Sequence, residues 1–320
     1  MLNPKNYDPA LMYGARILPD QLAGMIGLPY VGSIFYIDPT NGSDTANSGA
    51  AQNDAVKTVA AAYALMTTNK HDVSVIVAGG GTGRSTETTA ITWGKRFAHL
   101  VGNAGPLQQD ARAGINFGTG GSLTISENGC VFKNITLAGT VDINVPVTLT
   151  GDYNSFIGVD FKGSLNDTTG DDTAARALVI TGADENYFSG CSIGSDTYTR
   201  SAANASLEMT GGSARNKFES CLFPCFADAA TPVFFKAASA ASIDRFVWFK
   251  SCMFHNATYS SGTTLTVGMD LHAAVGGSVI LDGCAINGVT DWADDYTALR
   301  ACNQPDVTAS NSGFMEQVAT

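Results

Sequence analysis

Asp171 and Asp172 stand close to Arg176, Asp291 is followed by Asp294 and Asp295, and Asp160 and Asp282 each sit beside an apolar run. Carboxylates so placed could serve as the acid and base of glycoside cleavage. They could also hold calcium while a neighbouring basic residue, in its neutral form, accepts a proton. Neither arrangement is complete here. Asp171 and Asp172 fall in a polar stretch with the character of a solvated loop, and residues 291–295 have the character of capping and helix-start acid. The four histidines, His71, His99, His255 and His272, show no spacing that a metal site needs. The glycine run at 79–83 is followed by Arg84 and Ser85, so it lacks the Lys-Ser/Thr that closes a phosphate loop. No G-x-S-x-G leads from a buried strand into a helix. The expectation is a chain with no catalytic residue, no cofactor and no metal.

The seven cysteines lead from chemistry to architecture. Cys191, Cys221, Cys252 and Cys284 each lie three residues after Phe188, Phe218, Phe249 and Leu281, and two residues before Ile193, Phe223, Phe254 and Ile286. The same triplet occurs at Phe132/Ile135/Leu137 and Phe156/Val159/Phe161. From Phe132 onward the anchors are spaced 24, 32, 30, 31 and 32 residues apart. A period of that size means stacked supersecondary units. In register, the four thiols would lie about 4.8 Å apart with parallel Cβ vectors, which suits neither a disulfide nor a tetrahedral zinc site. They are expected to be small, reduced core residues, in which a serine hydroxyl would go unpaired. Cys130, Cys225 and Cys302 fall outside the column and receive no role.

Every column has a physical task. The anchor, third and fifth positions are apolar, and the second (Asn134, Gly158, Gly190, Ser220, Ser251, Gly283) is small or turn-prone, as a tight bend requires. Asn154, Asn186 and Asn216 precede three successive anchors by two residues and can bond to one another up the stack. Glu219, Lys250 and Asp282 alternate in sign and mark the register. A second short apolar strand precedes each anchor, at 122–125, 145–149, 178–180, 207–209, 233–235 and 265–267. Asp160 and Asp282, four rungs apart or about 19 Å, are too distant for either glycosidase geometry.

This texture resembles the right-handed parallel β-helix of the pectin-lyase-like superfamily over roughly residues 34–290. The opening, YIDPTNGSD…KTVAAAY…VIVAGG, is similar to that of β-helix proteins in phage tail spikes and other virion components. The fold class expected is all-β: a right-handed parallel β-helix with an N-terminal strand-helix cap and extended terminal arms. Residues 1–32 would be an arm, 33–80 a cap with a helix over 56–66 started by Asn53 or Asp54, 81–290 the solenoid, and 291–320 a C-terminal cap and tail with a short helix in DWADDYTALRAC. Insertions at 165–175, 197–205 and 224–232 would project as loops from one flank.

Net charge −11 and a pI near 4.6 exclude the basic stripe of a nucleic-acid groove. No run of about 18 apolar residues offers a membrane span, and no secretory leader is visible. The arm carries Leu11, Met12, Ile17, Leu18, Leu22, Met25, Ile26 and Leu28 between proline breaks, and these are expected to seat on a partner subunit. Tyr187, Trp248 and Phe226 could contribute to a threefold interface along a solenoid flank. The resemblance implies a non-enzymatic virion protein made in the host cytoplasm. It would be a capsid decoration, cement, head-fibre or vertex part, forming a homotrimer and binding other virion subunits. The alternative is a tail-spike-like protein that binds or cleaves a host surface glycan.

Overall fold

The computed structural model describes residues 23–24, 27–28, 31–77, 83–103, 109–257 and 262–303. Strands account for nearly all regular structure and form three parallel sheets. Sheet A has ten strands, running from Ile34–Ile37 through Val131–Lys133 to Leu299–Cys302. Sheet B has nine, from Arg84–Glu87 to Ala285–Asn287, and sheet C eight, from Ala90–Trp93 to Val289–Ala293. Each coil passes from C to A to B and returns, so the chain winds into a solenoid around one continuous apolar core.

The anchor residues pair rung to rung as the spacing requires: Phe132 with Phe156, then Phe188, Phe218, Phe249 and Leu281. Their rings are fully buried and stacked, with centroids 5.2, 4.6, 4.4 and 5.0 Å apart along the five phenylalanines. The corner between sheets A and B is one left-handed residue. Asn134, Gly158, Gly190, Ser220, Ser251 and Gly283 all have φ between 51° and 60°. Only glycine adopts that conformation without strain.

Asn154, Asn186 and Asn216 are buried and form a ladder: Asn216 Oδ1 accepts the Asn186 N–H at 3.0 Å, and Asn186 Oδ1 the Asn154 N–H at 2.8 Å. The left-handed residue of that turn precedes the asparagine, at Tyr153, Glu185 and Arg215. The four column cysteines are free and buried. They are more than filler. Each thiol donates to the carbonyl of the anchor one coil earlier, Cys191 to Phe156, Cys221 to Phe188, Cys252 to Phe218 and Cys284 to Phe249, at 3.2–3.5 Å. A serine there would face the same carbonyl, a nearby acceptor that the sequence columns did not reveal.

The N-terminal region joins the sheets directly, since Ile34–Ile37 and Val73–Ile76 pair in register within sheet A. Helix α1 spans Val59–Leu65, later than expected, and its cap is Thr58, whose hydroxyl accepts the Ala61 N–H at 3.1 Å. Val56 cannot be helical because it bridges Ile37 as a strand residue, and Asp54 ends a separate 3-10 turn. Val59 and Ala62 bury against the first rung. Of the arm residues named above, only Leu28 is described; Leu11, Met12, Ile17, Leu18, Leu22, Met25 and Ile26 lie outside the described residues. Leu28 and Val31 pack on the outer face of sheet A, against Val73, Val75, Val101 and Val131 of the same chain.

At the other end the expected helix in DWADDYTALRAC is absent. Val289–Ala293 and Leu299–Cys302 are strands that complete one more coil, with Trp292 fully buried in the core. Inward burial of Val289 and Trp292 won over the helix-start character of the acids. The solenoid therefore extends past residue 290 to the end of the described chain.

Candidate cleft between sheets B and C

The corner between sheets B and C is where the coils differ. Residues 165–175, 197–205 and 224–232 interrupt three successive coils, and the structure gathers them together. They are more ordered than projecting loops. Residues Asp167–Gly170 form a single helical turn, and Ser195–Arg200 is a strand pairing with Leu222–Ala227. Asn204 Nδ2 donates to the carbonyls of Gly170 and Asp172 at 2.9 and 3.2 Å, Ser201 Oγ to Asp171, and the Asp228 N–H to the Arg200 carbonyl at 3.2 Å. Two glycines permit this crowding. A Cβ at Gly170 would fall 2.1 Å from the Thr199 carbonyl, and one at Gly194 2.5 Å from that of Pro224.

The result is a small open cleft with Lys162, Arg176 and Arg200 among its walls and Tyr198 at its rim. Three cations gather here in a chain of net charge −11. Arg176 is paired, its Nε 2.6 Å from Glu208 Oε2. Among the described residues, half-buried Arg200 has only neutral partners: Asn204 Oδ1 at 2.6 Å, Ser206 Oγ at 2.9 Å, Cys225 Sγ at 3.6 Å and the Val233 carbonyl at 3.3 Å. Burial lowers its pKa from the usual arginine value. Cys225 thus gains a role as an arginine partner, Cys130 is buried core and Cys302 is exposed.

Lys162 is the extra residue of a bulge, since the register passes from Phe161/Leu137 straight to Gly163/Ala138. Its Nζ lies 3.3 Å from Asp110 Oδ1 and 4.0 Å from Asp160 Oδ2. Burial pushes the Asp160 carboxyl up to about 6, although it accepts the Asp110 N–H at 2.7 Å. Burial also acts to raise Asp110, but Arg84 and Lys162 together hold it below the ordinary carboxylate range.

The other acids are scattered. Asp171 accepts from Ser201, and Asp172 accepts from Asn144 Nδ2 and the Ala174 N–H, both at 2.8 Å, so these two fasten the insertion. Asp294 accepts the Leu271 N–H and Asp295 the Thr297 N–H, each at 2.7 Å. Asp160 lies on sheet B and Asp282 on sheet A, so they share neither a face nor a groove. Tyr187 and Trp248 share the outer face of sheet A, whereas Phe226 lies on sheet B.

Two groupings were missed in the sequence. Asp110, fifty residues from Asp160, precedes the regular repeat, and no column predicts its position. His71 and His99, in different columns, meet with Nδ1 and Nε2 3.2 Å apart. His99 Nδ1 accepts the Val131 N–H at 3.0 Å, and burial drives its pKa down to about 3, so the ring is neutral with its hydrogen on Nε2. Among the described residues no three His, Cys, Asp or Glu side chains gather as a metal site would need.

No family model matches the sequence. No curated protein sequence matches it either. Solved structures do match in shape. A pectate lyase, Pel9A, superposes with a TM-score of 0.58 at 15% identity, covering 88% of this chain and 73% of that one. The pectin methylesterase PemA from Erwinia chrysanthemi reaches 0.47 at 13% identity, over 81% and 80% of the two chains, too low to support inference. The likeness to the pectate lyase establishes the fold: this chain is a right-handed parallel β-helix.

Proposed function

We propose that the chain is a polysaccharide-binding β-helix protein that holds an anionic glycan in the cleft between sheets B and C. The observation that carries this is Arg200, a half-buried guanidinium on the cleft wall met only by neutral acceptors. Charge-assisted hydrogen bonds to a carboxylate, sulfate or phosphate are the interactions such a group forms best. Two of the insertions, 165–175 and 197–205, line the cleft, and binding surfaces are commonly built from such loops on a rigid scaffold. The likeness to a pectate lyase supports a polysaccharide as the ligand class. Binding without turnover is the expectation, because Asp160 and Asp110 are tied to Lys162 and the other acids fasten loops.

Oligomannuronate of six residues tests this against maltohexaose, a neutral chain of equal length. The carboxylated chain should bind and the neutral one should not. Arg200→Met should weaken binding by about tenfold or more, the worth of one charge-assisted pair. Because Arg200 also ties Asn204 and Val233, Tyr198→Ala at the exposed rim serves as a second probe and should weaken binding with the fold intact. Equal affinity for both sugars, or none for either, would remove the cleft as a glycan site.

A second reading is favoured by the outer face of sheet A, where Lys217 Nζ lies 4.8 Å above the Trp248 ring and 5.4 Å from that of Tyr187. A flat face carrying aromatic and charged side chains suits packing against another subunit in a virion. On that reading the chain is a homotrimeric decoration or head-fibre protein, docked on capsid subunits through residues 1–32. Native mass spectrometry of the full chain and of a chain lacking 1–32 tests it. A trimer that falls to folded monomer on truncation supports the docking role, and a monomer in both cases ends it.

A further inference from the structure

Lys162 is the one cleft cation flanked by two carboxylates. Asp110 reaches it from a segment crossing the outer face of sheet B, and Asp160 from two residues earlier on its own strand. Arg84, which pairs with Asp110, is the remaining charge facing this group. The four form a line of alternating sign: Arg84, Asp110, Lys162, Asp160. With Asp160 ionised the line is neutral, and with Asp160 protonated it carries one positive charge beside the cleft. No histidine lines the cleft.

Asp160 is 1% exposed, and its Oδ1 has no partner among the described residues. Its other oxygen, Oδ2, accepts the Asp110 N–H at 2.7 Å and the Thr136 hydroxyl at 3.5 Å and lies 4.0 Å from Lys162 Nζ. A buried carboxylate with one oxygen unsatisfied is costly to ionise, and a proton removes that charge.

We propose that Asp160 is a positioning residue whose proton sets the charge Lys162 presents to the cleft, so that anionic glycans bind more tightly in mildly acidic solution. The proposal rests on the anionic-glycan reading of the cleft. Arg176 and Arg200 keep their charge throughout, so the step belongs to Asp160 alone. Burial places the exchange between the two states near pH 6. One added charge several ångströms from a solvated ligand is worth on the order of a fivefold change in affinity. By reciprocity, a bound anion should favour the proton on Asp160.

The test is oligomannuronate hexamer titrated by calorimetry from pH 5 to 7.5, where its own carboxylates stay ionised. Wild-type affinity should fall about fivefold across a midpoint near pH 6. Asp160→Asn should hold the pH 5 affinity throughout. Without ligand, the Asp160 carboxyl ¹³C and the Lys162 Nζ ¹⁵N resonances should titrate with one shared midpoint, which a merely structural role would not produce. A flat wild-type affinity, a step that survives in Asp160→Asn, or a Lys162 resonance that ignores Asp160 overturns the proposal while leaving the cleft as a glycan site. Binding at no pH overturns the glycan reading, and this proposal falls with it.

Discussion

The two corners of each coil on either side of sheet B follow opposite rules. Between sheets A and B the chain turns on a single left-handed residue, with φ of 51–60° in six consecutive coils. Between sheets B and C three of those coils carry insertions, two of which line a cleft with three cations. The first corner can be uniform because it serves only stacking: ring on ring just before it and thiol on carbonyl just after it. The second is free to vary because the stacked corner already holds the register. The solenoid thereby separates stability from recognition, and substitutions on the two sides should report different things.

The largest effect is expected in the ladder. Phe188 is fully buried between Phe156 and Phe218, with ring centroids 4.6 and 4.4 Å away. Phe188→Ala should cost about 3–5 kcal/mol in urea unfolding, through lost transfer energy and the cavity left behind. Cleft affinity, measured where the variant is still folded, should not change. A loss below 1 kcal/mol would mean that the stack does not carry the fold.

On the cleft side the sign reverses, because Asp160 is a group the fold strains. Its pKa is raised from 3.8 to about 6, so the folded state holds a proton that the unfolded state has released. That contribution is fully present below about pH 4 and is lost as pH rises through 6. At pH 8 the ionised, buried carboxylate costs up to about 3 kcal/mol, from roughly two units at 1.36 kcal/mol each. Asp160→Asn should therefore stabilise the protein by up to about 3 kcal/mol at pH 8, with the gain vanishing near pH 4. Thermal or urea unfolding at the two pH values checks it, and a destabilised variant at pH 8 would show that the Asp110 and Lys162 contacts outweigh burial.

The same contrast explains what could be read from the chain. Phe132 to Leu281, the glycine-rich corner and Asn154, Asn186 and Asn216 were legible because stacking forces one residue type into one column. The cleft was not legible, since insertions of different length share no column and Arg200 meets Ser206 and Val233 only after folding. Asp110 was hidden for a similar reason: it precedes the regular coils. The last coil was misjudged because Asp291, Asp294 and Asp295 resemble a helix start, and Val289 and Trp292, three residues apart, do not show the two-residue alternation of a strand although both are buried in the core.

A smaller effect probes the thiol column. Cys221 Sγ donates to the Phe188 carbonyl at 3.5 Å, so a serine hydroxyl at this position has an acceptor within reach. Cys221→Ser should cost about 1 kcal/mol, the scale of a buried hydroxyl that keeps its hydrogen bond. A cost above 3 kcal/mol would show that the shorter side chain leaves the hydroxyl unpaired, and would return these cysteines to the role of plain apolar filler.

The smallest effect should come from the charges on the outer face of sheet A, although Glu219 meets three partners there. Glu219 lies 2.7 Å from Lys250 Nζ and 2.9 Å from Lys217 Nζ, and it accepts from the Tyr187 hydroxyl at 2.8 Å. Lys250 first, then Lys217 and Tyr187, hold its carboxyl down to about 2. A depressed acid contributes stability that is present above its unfolded value near 4.3 and is lost as pH falls through about 2. Water reaches this face, however, and exposed pairs are screened and held by flexible side chains. Glu219→Gln and Lys250→Met, alone and together, should give a coupling smaller than the cost of Cys221→Ser, and it should shrink further in 1 M salt. The register would survive, because Phe218 pairs with Phe249 beneath these charges with or without them. A coupling as large as that of the phenylalanine ladder would mean that the charges themselves help set the register, and the division of labour between the two corners would have to be redrawn.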